Sequence, residues 1–356
     1  MTKAPQGRPH KLTITVGSLT KEGTESMSIQ KRFNRQRPIA VAILATAALL
    51  LAGCSSNGAG AATGGDSDKP KIGVSMSFVN QFYAAAQEGM EDEAKEQGYD
   101  LVLLNAQGNS STQVNQVQNL VSQGVGSLIY IQLDAAAGGA SVSQANAAEI
   151  PVIAVDQLPA AGDYVTYIGS DSVAMAEQAC DYLAELLDGQ GNIAIVEGIP
   201  ASSTQMQRAE GCATSLEANP DIAVVSTTSA DWDQNKAVSV FANVLTANED
   251  LQGVFAQNDD MALGVASAAD SAGRTGLSIV TIDGFPAVYD AIEKGEVSAT
   301  MSQQPYNMGR LAVQNAIAAT EGEGSEIPKE QIQESILVTK DNLEEARAAK
   351  YYGTQG

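Results

Sequence analysis

Val254-Phe-Ala-Gln-Asn-Asp-Asp-Met-Ala-Leu-Gly264 is an apolar run that stops at Asn258-Asp259-Asp260 and gives way to an alanine-rich helical pattern at Met261. The stretch reads as a strand delivering polar side chains to a helix N-terminus. Asx oxygens suit that place because they accept from the unpaired N–H groups of the first turn and favour the positive end of the helix dipole. In an open α/β sheet, ligands bind beyond the carboxyl ends of the strands. Helix capping alone explains one such turn. The same turn recurs along this chain.

From Lys71 onward, short runs rich in Val and Ile alternate with polar turns and helical stretches. The predicted strands are Ile72-Gly-Val-Ser75, Asp100-Leu-Val-Leu-Leu104, Ser127-Leu-Ile-Tyr-Ile131 and Val152-Ile-Ala-Val155, followed by Ile193-Ala-Ile-Val196, Ile222-Ala-Val-Val225, Gly253-Val-Phe-Ala256 and Ser278-Ile-Val-Thr-Ile282. Between them lie helical patterns such as Phe82 to Gln97 and Gln113 to Gln123, each closed by a glycine. Near-continuous apolar strands alternating with amphipathic helices imply parallel sheets covered on both faces, the α/β class. Eight strands make either one wide sheet or two smaller ones. The segment Tyr164 to Asp171 reads as a crossing between two lobes. Beyond Val297 the chain adds a strand at Ser298 to Met301, a helix near Pro305 and a strand at Ser335 to Val338, enough to cross back twice more.

The N-terminus is of another kind. Lys31, Arg32, Arg35 and Arg37 precede the apolar run Ile39 to Ala52, which is too short to span a bilayer comfortably and is flanked as a secretory signal is. It ends in Leu51-Ala52-Gly53-Cys54, which resembles the lipobox of bacterial lipoproteins, where the signal is cut before a cysteine that carries lipid. Residues 1–53 are therefore expected to be a signal peptide with an upstream extension, the true start being Met27. Residues 54–70, rich in Gly, Ala and Ser, read as a lipid-anchored flexible tether.

Charge and composition exclude several functions. Residues 1–53 hold eight of the 20 Lys and Arg and two of the 42 Asp and Glu, which leaves 12 against 40 and a net charge of −28. Such a surface repels nucleic acid and anionic headgroups. The sole histidine, His10, lies in the same segment, so the remainder has no Ser-His or Cys-His nucleophile activation and no His-ligated zinc. No metal and no cofactor are expected. Cys180 and Cys212 lie on helical segments either side of one strand, and a disulfide and two separately buried thiols are both open.

Several strand ends carry groups that suit a hydroxylated ligand. They are Asn80-Gln-Phe82-Tyr83, preceded by Phe78, after the first strand; Asp156-Gln157 after the fourth; Asp231-Trp232 after the sixth; Asn258 after the seventh; and Asp283 after the eighth. A sugar has two apolar C–H faces and a polar rim, matched by aromatic rings and by carboxylates and amides. Only 5% of the chain is aromatic and Trp232 is its one tryptophan, so this concentration at strand ends points to a site.

The residues Phe255 to Gly264, with Asp283-Gly284, Gln303 and Asn80 to Tyr83, resemble the ribose-binding protein family of type I periplasmic binding proteins. The resemblance runs from about Lys71 to the C-terminus. It implies two Rossmann-like lobes joined by three crossovers, one of residues 71–169 plus 304–332 and the other of 170–303 plus 333–356. It also implies that the lobes shut on the ligand and deliver it to an ABC-type permease; the chain is expected to be a monomer with no catalytic residue. Carried over by position, the ring residues fall on Phe82, Tyr83 and Trp232, the carboxylates on Asp156 and Asp283, and the amides on Asn80, Asn258 and Gln303. Three positions depart: Gln132 stands for an asparagine, and Gln157 and Met206 stand for two arginines.

Without arginines the carboxylates face the ligand with no positive partner, so the pocket is expected to take a neutral sugar or polyol, to reject anions and to bind ribose weakly. Two alternatives remain: a receptor presenting ligand to a membrane sensor, and a glycosidase using Asp156 and Asp283 as an acid/base pair.

Overall fold

The computed structural model describes residues 69–355. The predicted signal segment, Cys54 and all but the last two residues of the predicted tether lie outside them.

Two six-stranded sheets form the frame. In the first, β1 (Ile72–Met76), β2 (Leu101–Asn105), β3 (Ser127–Ile131), β4 (Val152–Val155), β5 (Thr166–Gly169) and β11 (Glu330–Ile332) lie in the order β11-β5-β4-β3-β1-β2, every pair parallel. In the second, β6 (Gly191–Glu197), β7 (Ile222–Ser229), β8 (Leu251–Ala256), β9 (Ser278–Asp283), β10 (Ala299–Ser302) and β12 (Ile336–Val338) lie in the order β12-β10-β9-β8-β6-β7, with β12 antiparallel to β10. The chain therefore passes between the sheets three times: after β5, after β10 and between β11 and β12. Two sheets, not one wide one, answer the question that strand counting left open.

The central strands β1, β3, β4 and β5 are buried along their whole length, as parallel strands covered on both faces must be. The edge strand β7 leaves Val224 and Val225 exposed. The segment from Tyr164 differs from expectation, since residues 166–169 form a buried strand of the first sheet and the crossing begins only after Gly169. Thr166-Tyr-Ile-Gly169 lacks the continuous apolar run of the other strands, and pairing with Ile153 to Val155 decides its state.

Seven helices are α1 (Gln81–Gln97), α2 (Ser110–Ser122), α3 (Ala135–Ala147), α4 (Ser172–Leu186), α5 (Ser203–Ala218), α6 (Gln234–Ala247) and α7 (Asp259–Ser271). Each begins after Asn, Asp or Ser, namely Asn80, Asn109, Asp134, Asp171, Ser202, Asp233 and Asn258, whose side chain accepts from the N–H three residues on. Such a cap is worth about 1 kcal/mol and fixes where each helix starts relative to its strand. The helices α8 (Pro286–Lys294) and α9 (Pro305–Thr320) instead open on proline, whose missing N–H costs nothing in the first turn.

Close helix pairs stiffen each half. A Cβ on Gly89 of α1 would lie 2.1 Å from the Tyr306 carbonyl of α9, so only glycine permits that approach. Helices α4 and α5 meet over Gly211 and are joined by the Cys180–Cys212 disulfide, with Cα atoms 5.3 Å apart. The last turn, after α10 (Leu343–Ala349), leaves the second sheet's side. Tyr352 is buried with Phe82, Met90 and Met308, and the Thr354 N–H donates to Glu88 of α1 at 3.1 Å.

Candidate functional site

The carboxyl ends of both sheets face one cavity, with about 300 Å³ of empty space that is partly open to solvent. From the first sheet's side come Phe78, Asn80, Phe82, Tyr83, Asp156 and Gln157. The second sheet's side supplies Thr204, Arg208, Trp232, Asn258 and Asp283, and Gln303 comes from the crossing after β10. Nine sequence-predicted residues thus meet: Asn80, Phe82, Tyr83, Asp156, Gln157, Trp232, Asn258, Asp283 and Gln303.

Capping and lining prove to be one job for two of them. Asn258 accepts from the Met261 N–H at 3.0 Å and lines the cavity, and Asn80 accepts from the Tyr83 N–H at 3.1 Å while its amide donates to Asp260 Oδ2 at 3.1 Å. That second bond joins the two halves across the cleft.

The rings form the apolar walls. Tyr83 meets Phe82 edge-on at 5.4 Å and Phe78 at 5.1 Å between centroids. Trp232 sits in the left-handed backbone region (φ 63°) and packs on Gly198, where any Cβ would fall 1.9 Å from the indole. Gly198 is therefore required by the ring behind which it lies.

The carboxylates are deeply buried. Asp156 accepts from the Tyr83 hydroxyl at 2.7 Å and from Gln157 Nε2 at 3.3 Å, both on Oδ2, so Oδ1 is left to meet a ligand. Burial raises its pKa above the carboxylate range, partly opposed by the Tyr83 hydrogen bond and by Arg208. Asp283 accepts from Gln303 Nε2 at 2.9 Å. Burial pushes its pKa to about 7, with Arg208 pulling down and Asp260 and Asp156 pushing up. Asp259 holds the turn that aims Asp283: its carboxylate accepts from the Gly284 and Phe285 N–H groups at 2.6 and 3.0 Å and from Thr300 at 2.9 Å.

Two predicted residues are elsewhere. Met206 is 50% exposed and does not touch the cavity, whereas Arg208, 3% exposed, does. Two residues along a helix is a turn of about 200°, so the pair cannot face the same way. One Arg208 Nη donates to the Gln257 carbonyl, the other lies 3.6 Å from Asp283, and the guanidinium stands 5.6 Å from the Trp232 ring centroid. The expected arginine-free pocket is thus wrong, and the pocket's charge gives no ground for disfavouring ribose. Gln132 is buried but does not line the cavity: it donates to the Leu158 carbonyl and packs against Gly138 of α3, bracing the loop after Asp156.

Residues 72–324 match the periplasmic binding protein domain. The chain belongs to the periplasmic binding protein family. Within that family this binding protein is similar to the ribose import binding protein of Bacillus subtilis, 34% identical over 78% of this chain and 92% of the relative. It is also similar to the xylitol-binding protein of Mycolicibacterium smegmatis, 32% identical over 86% of this chain and 87% of the relative. Among solved structures, an ABC transporter solute-binding protein from Bacillus halodurans with bound myo-inositol superposes with a TM-score of 0.76 at 30% identity, covering 80% of this chain and 99% of the other. These relatives are binding proteins, not enzymes.

Residues that sequence reasoning misses are Thr204 and Arg208. Arg208 does carry a signal: Thr204, Arg208, Gly211, Cys212 and Ser215 form the buried stripe of α5 at helical spacing, and Met206 lies off it.

Proposed function

We propose that this protein captures a neutral monosaccharide or polyol between its two lobes and delivers it to an ABC-type permease, without chemical change. The observation that carries the reading is the donor and acceptor inventory of a ring-walled cavity between the two sheets. Gln303 Oε1 and Arg208 Nε are buried there with no partner, and Asp156 and Asp283 each keep an oxygen that no donor occupies. A buried polar atom without a partner costs about 1–3 kcal/mol, which a polyhydroxy ligand would recover. Hydroxyl groups both donate and accept, so one compound meets this mixed set. The rings Phe82, Tyr83 and Trp232 would take its C–H faces, and Asn80 and Asn258 would add amide contacts.

Neutrality follows from the charge already present. Arg208 faces Asp283 at 3.6 Å and Asp156 stands nearby, so a ligand anion would find the guanidinium matched and two carboxyl groups opposing it. The relatives named for ribose and xylitol and the structure with myo-inositol support the class; ribose itself is among the candidates. Residues 71–169 plus 304–332 and 170–303 plus 333–349 would move as the two lobes, with the last turn riding on the first.

Calorimetry with pentoses, hexoses, inositols and C4 to C6 polyols, each beside a phosphorylated or carboxylated counterpart, tests the reading. Tight binding of a neutral member is expected, and tight binding confined to anions would overturn it. Anchoring through Cys54 is part of the same proposal: Cys54→Ser should release the protein from membranes, and its retention there would count against a lipid anchor.

A further inference from the structure

Gln157 follows Asp156 directly and is 5% exposed, and the two ends of its amide engage different lobes. Oε1 accepts from the Ser203 hydroxyl at 3.0 Å and from the Thr204 N–H at 3.3 Å, both in the first turn of α5. Nε2 donates to Asp156 Oδ2 at 3.3 Å, next to the Tyr83 hydroxyl at 2.7 Å. Two neighbouring bonds tighten the same junction: the Leu158 N–H donates to Ser203 Oγ at 2.8 Å, and the Thr204 hydroxyl donates to the Asp156 carbonyl at 3.3 Å. Apart from the Gln157–Asp156 and Tyr83–Asp156 bonds, each of these runs from the first lobe to the second.

An amide oxygen has two lone pairs, and here both are taken by α5. Of the two amide protons one is held by Asp156. Gln157 is thus mostly committed to protein partners, and its orientation is set by groups that only an adjoining α5 supplies. Parting of the lobes would remove Ser203 and Thr204 from Oε1, and the amide would be free to turn away from Asp156.

We propose that Gln157 is a positioning residue, a strut that α5 engages when the lobes shut and that then holds Asp156 with Oδ1 turned toward the ligand. The inference rests on the reading that Asp156 accepts from a polyhydroxy ligand. It makes the acceptor itself a product of closure: a ligand that draws the lobes together completes the group that binds it. Loss of the strut therefore acts mainly on how long the closed complex lasts, because most affinity differences within one interface lie in dissociation.

The test is a cycle of Gln157→Ala, Ser203→Ala and the double variant in the full chain, using the tightest neutral ligand of the panel. Affinity is read by calorimetry, dissociation by stopped-flow Trp232 emission, and melting is measured without ligand. Ser202, not Ser203, caps α5, so the second variant keeps the helix start. Loss of a neutral hydrogen bond pair predicts about tenfold weaker binding for Q157A and about threefold for S203A, through faster release. The double variant should be no more than about twofold weaker than Q157A. Multiplicative loss, about thirtyfold, would mean that Gln157 meets the ligand independently and would overturn the strut. Ligand-free melting that falls in step with affinity would overturn it too, as a merely structural role. If the parent binds no neutral compound, the functional reading fails and takes the strut with it; if the parent binds and the cycle is multiplicative, only the strut fails.

Discussion

Replacing Asp283 by Asn decides whether burial or the Arg208 partner governs the floor of the cavity. The residue is 4% exposed, its Oδ1 accepts from Gln303, and Arg208 lies 3.6 Å away, beyond hydrogen-bond distance. Burial, reinforced by Asp260 and Asp156, outweighs Arg208 and carries the pKa from 3.8 to about 7. The folded protein thus holds this proton more tightly than the unfolded chain does. The associated stability is present below about pH 4 and is lost as pH rises toward 7. The full difference is worth about 4 kcal/mol. That is a ceiling, because any opening of the cleft that wets Asp283 lowers it. Asn mimics the protonated acid, so D283N should match the parent within about 1 kcal/mol near pH 4 and exceed it by about 1–4 kcal/mol near pH 8. Urea denaturation of ligand-free protein at both pH values measures this. The same variant should bind its sugar or polyol at least tenfold more weakly, having lost a charged acceptor worth roughly 1.5–3 kcal/mol. A D283N protein less stable than the parent near pH 8 would refute the reasoning and show that attraction between Arg208 and Asp283 outweighs the cost of burying the carboxylate.

Three further outcomes follow from the geometry. Met206→Ala should leave ligand affinity unchanged and stability within about 0.5 kcal/mol, since the side chain is half exposed and off the cavity; a tenfold calorimetric loss would restore it to the site. Replacing Cys180 and Cys212 together by Ser should cost about 3–4 kcal/mol by urea denaturation, the loop entropy of a 32-residue separation, with affinity little altered because neither cysteine lines the cavity. Asp259→Ala strands three buried donors and should lower stability by about 3 kcal/mol or more by the same method, and a neutral effect would show that the turn carrying Asp283 holds its shape without them.

Much of the fold and site is legible from local chemistry. The break at Asn258 is visible because one residue ends an apolar run and caps a helix, and both events are encoded within four positions. Asp156, Trp232 and Asp283 are visible in the same way: Asp156 follows β4 directly, Trp232 comes three residues after β7, and Asp283 closes β9. Arg208 is not, because it projects from the second turn of a helix whose start depends on the loop 198–202, where Ala201 adopts φ 69°. A shift of two residues there exchanges one face of α5 for the other. Strands β5 and β11 escape for a different reason: Thr166-Tyr-Ile-Gly169 and Glu330-Gln-Ile332 lack the apolar run that marks the other short strands, and each exists because a neighbour's edge receives it. Gln132 shows the converse, a correct strand end whose side chain is taken up by the Leu158 carbonyl and the space beside Gly138 and so does not line the cavity.

Trp232 is the chain's only tryptophan and stands in the cavity wall against Gly198 and Arg208, so its emission reports the site without a label. Titrated with the neutral compound that calorimetry identifies, it should change saturably with the calorimetric affinity. Tight calorimetric binding with Trp232 emission unmoved would place the ligand somewhere else and contradict the account.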